Sequence, residues 1–140
     1  MASTILVKDI MSKDVRVVRP DTSAQEIVAT LNKFNIGSVV VVQKEKPVGI
    51  ITIRDILVRL VEQNLAPRVL TASQMMTSPF TSINVEATME EAAKLMAKKR
   101  VKTLPVMEKE KLVGVVSFAD IAFKVPALLS LLEESCRASQ

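Results

Sequence analysis

The chain has 140 residues, of which 49% are hydrophobic and 24% are charged, and its formal net charge is +4. This composition is typical of a globular protein, and the length predicts one domain or two very small ones. The absence of histidine and the presence of a single cysteine exclude histidine acid–base catalysis and zinc sites built on Cys and His clusters, so no enzyme and no metal site are expected.

The first half of the chain predicts a short lead-in helix, a strand, a helix, a β-hairpin and a further helix. Ser23 to Glu26 forms a capping box, and Gly37 is a natural stop for the helix that it opens. The two hairpin strands are almost continuously apolar, which predicts cover on both faces. The segments are 7–11, 15–18, 23–37, the strands 38–42 and 47–52 around the charged turn 43–46, and the helix 53–64.

The helix at 53–64 is predicted to place one apolar stripe on the core, formed by Ile53, Ile56, Leu57, Leu60 and Val61.

The second half repeats the first at a constant offset of 65 residues. Segment 7–56 aligns with 72–121 without a gap, and Met11, Gly49 and Asp55 correspond to Met76, Gly114 and Asp120. Such self-similarity indicates a tandem duplication, and units of this size are expected to share one core. The predicted segments are the lead-in 72–76, the strand 80–83, the helix from the capping box Thr88–Glu91 to about residue 100, the hairpin strands 104–107 and 112–117, and a helix from 118 to about 124.

A C-terminal helix outside the repeat is predicted to begin at Pro126, a residue suited to the first helical position. It carries a leucine-rich face that neither repeat requires, and Cys136 continues that face as a buried, inert thiol. The helix at 53–64 likewise carries Val58 and Leu65 beyond its core stripe. Surplus apolar surface of this kind indicates an interface, so a homodimer is expected. In a twofold dimer Cys136 could approach its own copy, which makes an intermolecular disulfide a further hypothesis.

One seven-residue pattern, G-h-h-[ST]-x-x-D with h hydrophobic, occurs at 49–55 and again at 114–120. It reads as a strand that runs into the first turn of a helix, with Thr52 or Ser117 as the N-cap. The cap hydroxyl can accept the N–H of Asp55 or Asp120, and an acid there suits the helix dipole. A single copy would indicate helix capping alone, whereas two copies in matching contexts favour a functional role as well.

These features together resemble a tandem pair of CBS domains, also called a Bateman module. The resemblance implies an α/β (α+β) fold of two β-α-β-β-α repeats packed about a pseudo-twofold axis, followed by the C-terminal helix. The repeats would span 7–66 and 72–125, with 126–140 as helix and tail. It also implies a non-enzymatic regulatory module whose clefts bind AMP, ADP, ATP or S-adenosylmethionine and which acts on a regulated partner protein.

The resemblance assigns a role to each candidate site residue. Asp55 and Asp120 would accept hydrogen bonds from ribose hydroxyls, and Thr52 and Ser117 would contact ribose or phosphate. The adenine would lie against the segments that contain Gly37 and Ser38 in the first repeat and Lys102 and Thr103 in the second. Arg54 and Lys102 are the candidate phosphate partners. The cleft of Thr52 and Asp55 is predicted to be the main site, because only the first repeat has an arginine beside its aspartate.

Two further expectations concern partners and location. The basic cluster at 98–102 supports an alternative function in nucleic-acid binding, although a cationic helix end that offsets the helix dipole is the favoured interpretation. No apolar run approaches the ~20 residues of a membrane span, and the N-terminal residues lack signal-peptide features, so a cytoplasmic protein is expected.

Overall fold

Two three-stranded sheets, one in each half of the chain, form the framework of the molecule. The computed structural model describes residues 4–123. The strands are β1 (Val17–Val18), β2 (Ser38–Gln43) and β3 (Lys46–Thr52) in one sheet, and β4 (Ile83–Asn84), β5 (Thr103–Glu108) and β6 (Lys111–Ser117) in the other. Within each sheet the short outer strand runs parallel to the middle strand, and the other two form an antiparallel hairpin. The second outer strand lies slightly later than the predicted 80–83.

The helices complete the predicted β-α-β-β-α order in both halves. They are α1 (Val7–Ile10), α2 (Ala24–Phe34), α3 (α-helical Ile53–Asp55 continued by π-helical Ile56–Val61), α4 (Ala72–Met75), α5 (Met89–Lys99) and α6 (118–123). The mixed α+β fold with two repeats is therefore confirmed. The predicted C-terminal helix and Cys136 lie outside the described residues. No described helix has the length and apolar character needed to span a membrane.

α2 ends within the predicted stretch 35–37, but the residue that stops it is not the predicted glycine. Asn35, not Gly37, adopts the left-handed conformation that ends the helix, with φ of 52°, and no glycine in the chain has a positive φ. Asparagine tolerates this conformation better than most residues, and Arg100 takes the equivalent place after α5 with φ of 56°. Each of the two predicted capping boxes makes only one of its two hydrogen bonds. Ser23 and Thr88 accept the N–H groups of Glu26 and Glu91, but neither glutamate side chain bonds back to the cap N–H.

The apolar stripe predicted on α3 is only partly buried. Leu60 is buried and Ile56 packs against the core, whereas Ile53, Leu57 and Val61 are each more than half exposed. The helix makes i→i+5 bonds, such as the 2.8 Å bond from the Glu62 N–H to the Leu57 carbonyl. Because a π-helix takes more residues per turn than the α-helix assumed in the prediction, neighbouring apolar positions turn away from the core.

Each repeat completes the core of the other through its lead-in helix. Val7 and Ile10 of α1 lie in the core cluster of the second repeat, and Ala72 and Met75 of α4 lie in that of the first. Matching backbone bonds of 2.8 Å hold the crossed segments, from Val7 N–H to the Ala87 carbonyl and from Ala72 N–H to the Thr22 carbonyl. The structure thus has two clusters in place of the single core expected, yet each contains residues of both halves.

The duplicated glycine and methionine meet across this crossing. A β-carbon at Gly49 would lie 2.9 Å from Cγ of Met76, and one at Gly114 would lie 2.5 Å from Sδ of Met11. At either position an added β-carbon would require these methionine atoms to move. The lead-in of each repeat is therefore seated on the motif strand of the other.

Candidate functional site

The predicted site residues gather at one end of each sheet, where the hairpin begins and ends. In the first repeat Ser38 pairs with Thr52, and the Gly37 carbonyl accepts the Ile53 N–H at 3.3 Å. In the second repeat Thr103 pairs with Ser117, and the Lys102 carbonyl accepts the Phe118 N–H at 2.7 Å. The structure thus brings together a first set (Gly37, Ser38, Thr52, Arg54, Asp55) and a second set (Lys102, Thr103, Ser117, Asp120).

Both motif aspartates lie in the first turn of a helix and bond to the preceding cap, as predicted. The Asp55 N–H donates to Thr52 Oγ1 at 3.4 Å, and the Thr52 N–H donates to Asp55 Oδ2 at 2.8 Å. The same reciprocal pair joins Asp120 and Ser117, at 3.1 and 2.7 Å. Each carboxylate is therefore held in a fixed orientation at the end of its sheet.

The two carboxylates differ in how much of their hydrogen-bonding capacity the protein itself uses. Asp55 is only 9% exposed, and it accepts bonds from the Thr52 hydroxyl at 3.2 Å and the Thr77 hydroxyl at 2.8 Å in addition to the Thr52 N–H. Asp120 is half-buried, and within residues 4–123 its Oδ1 accepts no hydrogen bond. The second carboxylate therefore has more capacity left for a ligand.

Thr77 is a site residue that the sequence analysis missed. It follows α4, and its N–H and carbonyl pair with Ile50 on β3 at 2.8 and 3.1 Å. Ser12 occupies the equivalent place opposite Val115, with backbone bonds of 2.8 and 3.0 Å, but no hydrogen bond from Ser12 to Asp120 is present. A sequence signal exists, because a hydroxyl residue follows the duplicated methionine in both lead-ins, at Ser12 and Thr77.

Two exposed cations, Arg54 and Lys102, adjoin the sets. Arg54 follows Ile53 in the first turn of α3, and Lys102 immediately precedes β5. Both are exposed, and neither takes part in an ion pair within the described part of the chain. Their positions suit an anionic group on a ligand.

A hollow of about 350 Å³ adjoins the second set. Its volume falls within the ~300–1,000 Å³ typical of small-molecule pockets, and apolar side chains form most of its wall. It is lined by Ala93, Met96, Ala97, Arg100, Val101, Lys102, Phe118 and Ile121. The two cations in this lining, Arg100 and Lys102, together with the mainly apolar wall, suit a flat heterocycle that carries a negative group.

Residues 98–102 lie at the C-terminal end of α5. Lys98 and Lys99 occupy its last turn, where positive charge offsets the helix dipole, and Arg100 is the left-handed residue that follows.

No group of three or more potential metal-ligating side chains is found among residues 4–123.

Comparison with known proteins agrees with this architecture. The chain is 33% identical to a protein of Methanopyrus kandleri over 98% of this chain and 71% of the relative. A crystal structure from Pyrococcus horikoshii matches 90% of this chain and 96% of that chain, with a TM-score of 0.83 and 28% identity. A hexameric CBS-CP12 protein from bloom-forming cyanobacteria matches 89% of this chain and 73% of that chain, with a TM-score of 0.82 and 25% identity. The CBS domain model matches residues 7–62 and 72–127, and the chain therefore belongs to the CBS-domain family as a tandem pair.

Proposed function

We propose that this CBS pair is a non-enzymatic sensor that binds an adenosine-containing ligand, such as AMP, ADP, ATP or S-adenosylmethionine, and reports it to a partner protein. CBS domains are generally regulatory modules that bind ligands, commonly adenosine compounds. The observation that carries the proposal is the state of Asp120. Its carboxylate is fixed by the Ser117 N–H, while its Oδ1 accepts no hydrogen bond from the described residues.

The chemistry of the second set suits each part of such a ligand. A carboxylate with a free oxygen accepts hydrogen bonds from the vicinal hydroxyls of a ribose. The apolar wall of the adjoining hollow, which includes Val101 and Ile121, offers a face for adenine. Lys102 and Arg100 also line the hollow, and their positive charges would attract a phosphate.

Thermal unfolding in the presence of AMP, ADP, ATP and S-adenosylmethionine tests the proposal. A ligand that binds only the folded state stabilises it by RT ln(1 + [L]/Kd), which is about 2.7 kcal/mol at a hundredfold excess over Kd. At least one of these compounds should therefore raise the Tm by several degrees. No shift with any of them at millimolar concentration would contradict adenosine binding.

Two matched nucleotides separate the parts of the recognition. The 2′-deoxy form of AMP lacks one of the hydroxyls that the carboxylate would accept, so its shift should be smaller than that of AMP. GMP keeps the ribose and phosphate and changes only the base. An equal shift with GMP would retain ribose recognition and overturn the preference for adenine.

A further inference from the structure

Thr77 makes a hydrogen bond at the Asp55 site that has no equivalent from Ser12 at the Asp120 site. A carboxylate has about four lone-pair positions and no proton to donate, so the hydroxyl of Thr77 must donate in its 2.8 Å bond to Asp55 Oδ1. The Thr52 N–H and hydroxyl already occupy Oδ2 at 2.8 and 3.2 Å. One position is left on Asp55, whereas a ribose diol that binds through both hydroxyls needs two.

The backbone of the Thr77 segment makes this contact firm. Thr77 is paired through both its N–H and its carbonyl with Ile50. Two residues earlier, the carbonyl of Met75 accepts a bond from the Arg59 guanidinium at 3.2 Å, and the carbonyl of Met76 accepts from the same nitrogen. The hydroxyl is thus presented to Asp55 by a segment held from both β3 and α3.

We propose that Thr77 makes the two sites unequal: its hydroxyl occupies Asp55, so an adenosine ligand fills the Asp120 site first and must displace Thr77 to fill the Asp55 site. This reverses the order that the sequence predicts. Arg54 favours the first set by charge, but the aspartate of that set is buried and already bonded by the protein. The inference rests on the proposed function and adds to it a residue that determines the order of filling.

The displacement gives the second binding event a structural consequence. Thr77 belongs to the lead-in of the second repeat, whose Ala72 and Met75 lie in the core of the first. Occupation of the Asp55 site would therefore act on the lead-in that packs the second repeat onto the first, whereas occupation of the Asp120 site meets no such bond from the described residues. At low concentration the ligand fills the Asp120 site and leaves the Thr77–Asp55 hydrogen bond in place. At high concentration it also fills the Asp55 site and breaks that bond.

Calorimetric titration with AMP in an Asp120→Ala background isolates the Asp55 site. Replacing Thr77 by Val keeps the shape and the backbone pairing but removes the hydroxyl. This change should tighten AMP binding by roughly ten- to a hundredfold, the equivalent of one hydrogen bond to a charged group. Thr77→Ser keeps the hydroxyl and should bind like the Asp120→Ala parent. Ser12→Ala, the equivalent change in the other lead-in, should leave this affinity unchanged.

The outcomes separate the inference from the proposed function. Binding of AMP to the wild-type chain, with unchanged or weaker binding after Thr77→Val, would overturn the inference and leave the proposed function standing. The titrations use whichever of AMP, ADP, ATP and S-adenosylmethionine gives the largest thermal shift, and absence of binding by all four to the wild-type chain would overturn both.

A measurement on the unaltered protein covers the case in which Thr77→Val fails to fold. In an NMR titration with AMP, the amides of 117–120 should shift at lower concentration than those of 52–55. Simultaneous shifts, or the reverse order, would overturn the inference.

Discussion

At the scale of single residues, the close approach of the lead-in methionines sets different demands on the three glycines of the chain. A β-carbon at Gly114 would meet the backbone oxygen of Ser12 at 2.9 Å as well as Met11, whereas the three atoms nearest to one at Gly49 all belong to the side chain of Met76. At Gly37 the nearest atom is Ile53 Cδ1 at 3.9 Å, an ordinary contact. A flexible side chain can move aside more readily than backbone, so the three positions should differ in tolerance.

The glycine-to-alanine series should follow that order. Gly114→Ala should destabilise most, by about 1–3 kcal/mol, because backbone must shift to remove the overlap. Gly49→Ala should cost less, since Met76 can adopt another rotamer, and Gly37→Ala should be close to neutral. Urea unfolding of the three variants gives the comparison directly. Equal losses at Gly37 and Gly114 would show that contact with the lead-in does not control these positions.

The two motif aspartates should also differ in their contribution to stability. Asp55→Ala removes the acceptor for the Thr52 N–H and for the hydroxyls of Thr52 and Thr77 in a buried place, where each unsatisfied group costs about 1–3 kcal/mol. Asp120→Ala removes one accepted bond at a half-buried place and should cost about 1 kcal/mol. Denaturant midpoints of the ligand-free variants measure the difference. A larger loss for Asp120→Ala would mean that the Thr77 contact adds little.

Much of the site could be predicted from the sequence, because the motif residues are local to one strand and the helix turn after it. The hydroxyl at the cap and the aspartate three residues later must meet in any such turn, and both pairs do. Thr77 was not accessible in the same way. Its contact with Asp55 spans 22 residues and depends on which repeat receives each lead-in.

At the scale of elements, the local sequence pattern predicts the hairpins correctly. It does not predict the π-helical part of α3 or the left-handed residue that ends α2. The β-branched strands 38–42 and 47–52 are read correctly, and the charged turn between them holds Lys44 and Glu45 at positive φ. The interior of α3 was predicted with α-helical periodicity, which its π-helical bonding does not follow. The end of α2 was assigned to glycine by preference, although Asn35 occupies the left-handed position.

The end of α5 offers a test of the nucleic-acid alternative. Lys98 and Lys99 are in its last turn and Arg100 follows it, so their charge has a structural use at the negative end of the helix dipole. We therefore expect no shifted band with duplex DNA in a gel-shift experiment at roughly 0.15 M salt. Binding to the phosphate backbone would instead weaken with salt, with a slope of roughly −0.9 per phosphate contacted.

The matched variant for that experiment replaces Lys98 and Lys99 by Ser and Arg100 by Asn, a residue that tolerates the left-handed conformation. A salt-dependent shift by the wild-type chain that this variant loses would establish the alternative function.

At the scale of the whole molecule, the crossed lead-ins make each half depend on the other. The sequence shows the duplication through its constant offset, but the offset is the same whether a lead-in packs on its own repeat or on the other one. Met76 lies against Gly49, and Met11 lies against Gly114. Each lead-in therefore packs on the other repeat and not on its own. A displacement of one lead-in would therefore act directly on the motif strand of the other repeat.

The molecule also exposes apolar side chains at equivalent places of the two repeats. Phe123 of α6 is 84% exposed, and its equivalent on α3, Val58, is exposed as well. Leu57 and Val61 extend the face on α3, because the π-helical turn directs them away from the core. Exposed apolar surface repeated by internal symmetry is typical of an interface, and the CBS-CP12 neighbour of 25% identity is hexameric.

We therefore expect a homodimer in which the exposed faces of α3 and α6 are buried against a second copy. Light scattering at micromolar concentration should give twice the monomer mass of 15.4 kDa. Leu57→Glu combined with Val61→Glu should give the monomer with an unchanged circular dichroism spectrum, because both side chains are exposed in one chain and would be buried in two. Ala29→Glu, an exposed position on α2, is the control and should remain dimeric.

A monomer for the wild-type chain would contradict the dimer and, with it, the hypothesis of a disulfide at Cys136, which lies outside the described residues. Cytosolic disulfides are rare except in hyperthermophiles, and a bridge requires Cα atoms within ~7 Å. The two hypotheses are separable on a gel. A protein that scatters light as a dimer but runs as a monomer under non-reducing denaturing conditions would lose only the bridge, because α3 and α6 need no covalent bond to hold two apolar faces together.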